Sequence, residues 1–288
     1  MELLIIIFLF IVWTAFGSFG SVLIRRMKSE IDKEVVLSIV CWRSQCPHCN
    51  KTLNFLQLIP LFSWLFTRWK CSFCGSKVSS FYFWLELISG IIFVMSYLWI
   101  VSIWQAFYVV DFWILFVFMV IVNWILVLFF FFDFLFYRVN TYLWVFLTLW
   151  VILWQFFNIV GDFEFAFLGW VWLFVFFYLF YMFGKYYVKY RFGYENSEWI
   201  GWWDVMMAFS VWLLVPFVLE SFDYMSLLYF IFSYVMLSSI LWIMLYLFFS
   251  LLNEKQGNAI PFLPAMIVAF WIMLFLGQEI IDLLYIAI

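Results

Sequence analysis

Charge is scarce in this chain. Asp, Glu, Lys and Arg make up only 11% of its 288 residues, against 69% hydrophobic, and the mean hydropathy is +1.13. A soluble domain is about one quarter charged and about half apolar, so a soluble globular fold is excluded. A basic excess is lacking too. The formal net charge of −3 implies no general affinity for nucleic acid. Glycine is short, with 11 residues where a typical share of ~7% would give about 20. That shortage is odd for a hydrophobic chain, because membrane spans hold more glycine than soluble helices.

What remains is apolar runs. The chain reads as an all-α polytopic membrane protein, because lipid leaves no water to satisfy an open backbone. About eight stretches approach the ~20 residues that a bilayer core requires. They are roughly 3–24, 82–104, 108–132, 140–160, 164–184, 204–219, 225–250 and 262–284. Only Gln105 and Asp111 separate the second from the third. The expected organisation is a first transmembrane helix at 1–24, a small zinc-stapled loop domain at 25–81 and a seven-helix domain at 82–288. The first span has no basic residue before it, and Arg25, Arg26 and Lys28 follow it, which predicts an uncleaved anchor.

Charge orients the spans. The segment 25–80 holds nine of the fourteen Lys and Arg residues, which places it in the cytoplasm. Alternation then puts the loops with Arg138, with Lys185, Lys189 and Arg191, and with Lys255 on the same side. The loops with Asp162 and Glu164, and with Glu220 and Asp223, fall outside. The expected location is the inner membrane.

The polar loop carries Cys46-Pro47-His48-Cys49 and Cys71-Ser72-Phe73-Cys74, two CxxC pairs separated by 21 residues. Each pair brings two thiolates to one small cation, and two pairs make a tetrahedral four-thiolate site of the zinc-ribbon kind. In a reducing compartment metal binding is favoured over disulfides. Four thiolates leave no open position for water, so the expected Zn2+ is structural, stapling a loop too short for a sizeable core. Cys41 lies outside the pattern, and His48 reads as loop filler.

Acids inside spans are expensive and are functional candidates by default. Asp133 ends the phenylalanine run 129–132 at the cytoplasmic end of the third span, and Asp204 begins the sixth at the same end. Two carboxylates brought together repel as anions, so one holds a proton while the other stays ionised. Such a pair can activate water and protonate a leaving amine. Taken singly, each acid also reads as a marker of a span end. Glu86, one turn inside the second span, is a possible support for the site or a partner for a basic loop residue.

A resemblance rests on several motifs. They are Gly17-Ser18-Phe19 before Val22 and Arg25, the Cys46 pair, Leu58 to Leu65, Arg68-Trp69-Lys70-Cys71, and Glu86-Leu87-Ile88-Ser89-Gly90. Ile260-Pro261-Phe262-Leu263-Pro264 follows late in the chain. In this order they resemble a bacterial prepilin peptidase, the type IV leader peptidase, a membrane aspartyl protease. The resemblance implies cleavage of the basic leader of type IV prepilins or pseudopilins after a glycine at the cytoplasmic face. It also implies, for many members, N-methylation of the new terminus with S-adenosylmethionine. No Gly-rich nucleotide loop stands in 25–80, so methylation rests on the resemblance alone. The family's first catalytic aspartate matches Asp133, and its Gly-x-Gly-Asp motif matches Gly201 to Asp204.

The chain departs from the pattern. No proline precedes Asn140 where the family has one, and Met206 replaces a lysine. Trp203 stands where the second motif glycine is expected, beside the catalytic acid. Trp69, Trp199 and Trp212 also fall at glycine positions of the family. With 20 Trp against 11 Gly, one explanation is that these codons are UGA, read as Trp here but as Gly in the source organism. The other is a diverged, inactive homologue or scaffold of pilus or secretion assembly. A proton-coupled transporter is the reading from a different class. It is disfavoured because no inverted repeat is visible and both acids lie at one face, not at the midplane.

Overall fold

The structure, a computed structural model, describes residues 2–27, 44–46, 48–103, 112–136, 139–157, 163–192, 204–207, 224–252 and 262–287. The expected all-α architecture is found. The helices are α1 (Glu2–Met27), α2 (Phe62–Phe66), α3 (Ser80–Ile103), α4 (Phe112–Phe136), α5 (Thr141–Phe157), α6 (Phe163–Phe192), α7 (Tyr224–Leu252) and α8 (Leu263–Ala287). The segment 204–207 is also helical. Two isolated β-bridges are the β pairings among the described residues. Seven of the eight predicted spans correspond to helices, and most of the eighth, 208–219, lies outside the described residues.

Four helical stretches are long and apolar enough to cross a membrane: Glu2–Arg25, Ser80–Ser102, Phe112–Phe136 and Met225–Phe248. Shorter apolar stretches occupy Thr141–Trp154 and Leu263–Gly277. This is a multi-pass membrane protein. The chain forms two compact units, 1–132 and 133–288.

In the first unit α1 lies along α3. Their approach depends on absent side chains. A Cβ on Gly17 would come 2.8 Å from the Glu86 Cα, and one on Gly90 would come 2.7 Å from the Phe10 ring. Membrane helices gain little from hydrophobic exclusion, so close backbone contact and polar clips hold them together. Trp13 stacks on Phe93 with centroids 3.8 Å apart. The Trp124 indole donates to the Phe16 carbonyl at 3.2 Å, and the buried Asn123 amide donates to the Ser96 hydroxyl at 2.9 Å.

In the second unit α7 packs against α8. Asn140 starts α5 by accepting the Leu143 N–H on its side-chain oxygen at 3.1 Å, a helix cap. The Trp144 indole then donates to the Met206 carbonyl at 3.1 Å and ties α5 to 204–207.

The end of α2 bears on the glycine question. The Arg68 N–H donates to the Leu65 carbonyl and the Trp69 N–H to the Trp64 carbonyl, a Schellman-type stop. Arg68 has φ 49° and Trp69 φ 52°, both left-handed, where a Cβ is strained and glycine is favoured. Trp69 is therefore a tryptophan on glycine backbone. Trp69→Gly is expected to be more stable than Trp69→Ala by about 1 kcal/mol, because both lose the ring and differ only in the Cβ. Thermal midpoints of the two variants measure this, and an alanine variant equal to or above glycine would remove the backbone argument.

Candidate functional site

The four cysteines are brought together by two near-identical turns. In each, the N–H of the first cysteine donates across the turn: Cys46 to the Lys51 carbonyl at 3.0 Å, Cys71 to the Ser76 carbonyl at 2.8 Å. The carbonyl of the same cysteine accepts from the residue after the second cysteine, Asn50 at 2.9 Å and Gly75 at 2.8 Å. Those two residues have φ 54° and 69°, which explains an asparagine and a glycine there. Bridges Gln45↔Thr52 and Lys70↔Lys77 close the hairpins.

The turns leave all four Sγ atoms within 4.8 Å of one another, and Cys46 and Cys74 stand 3.9 Å apart. Sulfurs bound at ~2.3 Å to one tetrahedral ion lie about 3.8 Å apart, so the donor set can hold such an ion. All four cysteines are free of disulfides. The amides of Cys49 and His48 pull the Cys46 thiol down to about 6, in the direction that favours a thiolate. At Cys49 the Lys51 amide acts downward, but desolvation and the neighbouring thiols prevail and push it up to about 11. The Ser76 hydroxyl, 3.0 Å from the Cys74 sulfur, lowers Cys74. His48 is exposed and is not among the clustered donors. Cys41 lies outside the described residues.

Between α1, the turns and α3 is a cavity of about 770 Å³ lined in part by Ser18, Arg25, Trp64, Lys77, Tyr82 and Glu86. Glu86 is buried. Its Oε2 accepts the Leu61 N–H at 2.7 Å, and Ser18 also hydrogen-bonds the carboxyl group. The partners of Glu86 are thus the Leu61 backbone and Ser18, where the sequence had offered a basic loop residue or support for the site. Arg25 instead places its guanidinium over the Tyr82 ring at 4.7 Å.

Asp133, on the last turn of α4, and Asp204, at the start of 204–207, are both buried, at 7% and 8% exposure. Their charges interact, so residues far apart in sequence come within electrostatic reach of each other. Tyr234 on α7 is almost fully buried, feels the Asp204 charge, and its hydroxyl has no hydrogen-bond partner among the described residues. No sequence signal singled it out, because it is one of 16 tyrosines in an aromatic chain. Gly201, Trp199, Trp203 and Trp212 lie outside the described residues.

Comparison with known proteins bears on the first unit. Residues 11–100 match the family model of the Bacterial Peptidase A24 N-terminal domain. The matched stretch holds most of α1 and α3, both cysteine turns and Glu86. The prepilin leader peptidase/N-methyltransferase of Myxococcus xanthus is 40% identical over 87 residues, 30% of this chain and 24% of that protein. The prepilin leader peptidase/N-methyltransferase of Bacillus subtilis is 44% identical over 57 residues, 20% of this chain and 23% of the relative. One from Klebsiella pneumoniae is 33% identical over 89 residues, 31% of this chain and 39% of the relative. The chain spans about a quarter of the length of the first two relatives. No solved structure matches it. The resemblance read from the motifs is borne out for the A24 N-terminal region.

Proposed function

We propose that this chain processes type IV prepilins or pseudopilins, with Asp133 and Asp204 as an aspartyl dyad at the cytoplasmic membrane face. The observation that carries the reading is the pair of buried, mutually interacting carboxylates at one end of α4. In the proposed mechanism the substrate's apolar helix lies among the spans and its basic leader stays in water. The scissile bond is then at the depth of the pair. One carboxylate takes a proton from water as it attacks the peptide carbonyl, and the other gives a proton to the leaving amine. Like charges at short range keep one proton shared between them, which supplies both roles at one pH. The Tyr234 hydroxyl, within electrostatic reach of Asp204, is the candidate donor to that carboxylate when it is ionised.

The four-cysteine cluster is proposed to hold structural Zn2+, since it offers four soft donors and no open position. The cavity beside it offers both charge signs, at Arg25 and Glu86, and aromatic faces at Trp64 and Tyr82. Those features suit S-adenosylmethionine, which would supply the methyl group for N-methylation of the new terminus. The relatives' names couple the two activities.

A second reading, an inactive scaffold that holds prepilins without cutting, is favoured by one feature. Trp203 stands directly before Asp204 in sequence, where the motif of the resembling family has glycine. The left-handed φ of Trp69 supports recoded glycine at that position. Prepilin cleavage in membranes decides between the readings. The chain as written is compared with Trp203→Gly and with glycine restored at 69, 199, 203 and 212. Cleavage is expected from the restored forms, and UGA codons at those positions. No cleavage by any form would transfer the assignment to the scaffold.

A further inference from the structure

The loop between the cysteine turns carries an apolar surface that its metal site does not need. Over the short 3-10 turn Phe55–Leu58 and helix α2, Phe55 is 80% exposed, Leu56 73% and Phe66 82%, with Phe62 and Leu65 also exposed. In water such a cluster on a small loop would be a liability. Its depth argues otherwise. The Leu61 N–H is bonded to Glu86, which lies six residues, or about 9 Å, in from Ser80 at the start of α3. The middle of the loop therefore lies within one side chain's reach of the second turn of α3, a candidate membrane span. Interfacial helices bury their apolar face about 5–10 Å into the headgroup–acyl boundary, which is the same depth. Basic groups flank the cluster at Lys51, Arg68, Lys70 and Lys77, suited to anionic headgroups.

The Glu86 bond acquires a reason in this setting. Irregular backbone at membrane depth is tolerated only where protein satisfies it. Leu61 has φ 60° and starts α2, so no preceding helical turn supplies a partner for its N–H. The buried carboxylate does.

We propose that residues 55–66 form an in-plane membrane anchor, seated in the leaflet boundary beside α1 and α3 and pinned by the Glu86–Leu61 bond. The partner is the anionic lipid surface. The inference does not rest on peptide cleavage.

The test is depth by electron paramagnetic resonance. A keto phenylalanine is incorporated at Phe55 or Phe66 and spin-labelled, which leaves every cysteine unmodified. The full chain is placed in nanodiscs of phosphatidylcholine and phosphatidylglycerol, with exposed Trp84 on α3 as the reference position. Labels at 55 and 66 are expected to collide more with oxygen than with a water-soluble nickel chelate, at a depth of about 5–10 Å. Greater nickel access would place the loop in water and overturn the proposal. Exclusion of both reagents would also overturn it, by showing protein against the cluster, from a second copy or from the rest of this chain. Glu86→Gln, which keeps an acceptor, should hold the depth, whereas Glu86→Leu should lower the oxygen-to-nickel ratio severalfold. An unchanged ratio in Glu86→Leu would overturn the pinning role.

Discussion

Asp133→Asn and Asp204→Asn are each expected to abolish the proposed leader cleavage while leaving the folded protein as stable as before, or more so. General acid–base catalysis contributes roughly 10²–10⁴-fold per group. Loss of either carboxylate also removes the shared proton that sets the other's role. A fall of at least about 10³-fold, or ~4 kcal/mol of barrier, is expected for each single variant. Asparagine nearly matches aspartate in volume, so packing around these two buried positions is kept. It also removes a buried ionisable group, and with it the desolvation and the repulsion that keep the pair from ionising together. Activity and stability should therefore move in different directions. Rates on a prepilin substrate, in the glycine-restored chain if that form is the active one, and thermal midpoints of the same preparations give both numbers. Substantial cleavage in both single variants would remove the dyad. A large drop in midpoint alongside lost activity would reduce the aspartates to structural groups.

Removal of the proposed metal is the second large effect expected. The segment from 44 to 79 contains two isolated bridges, a 3-10 turn and a five-residue helix, with Cys46 and Cys71 among its few buried side chains. Structural zinc in zinc-finger peptides carries an apparent binding free energy of about 10–16 kcal/mol at neutral pH, far more than the net stability of a loop this small. One metal ion per chain is expected by elemental analysis, falling sharply in Cys46→Ser and Cys71→Ser. A strong chelator under reducing conditions should open the loop to protease between the cysteine pairs. It should leave far-UV helicity almost unchanged, because spans in lipid keep their backbone bonds whatever the loop does. Acid should favour release, since protons compete for every thiolate. A loop that resists protease equally with and without chelator would remove the structural role.

The sequence by itself determined the class, most of the helices and the four cysteines that cluster. Apolar runs of about 20 residues leave one backbone solution in lipid, so α1, α3, α4 and α7 could be located without coordinates. The CxxC spacing is a local constraint, and the four sulfurs converge as that spacing requires. Asp133 and Asp204 could be nominated because a charge in an apolar run is costly wherever it sits. Only the tertiary structure could decide what each polar group meets, because partners in a helical membrane protein come from distant segments with no periodic signal. Glu86 was a buried acid without a known partner until the fold set the Leu61 N–H against it. Tyr234 was one aromatic among many until α7 carried it within reach of the Asp204 charge. Trp69 was a suspect residue by resemblance, and its left-handed φ supplies a physical cost that the sequence cannot express. Composition and spacing act along the chain. Burial, partner choice and backbone hand are set across it.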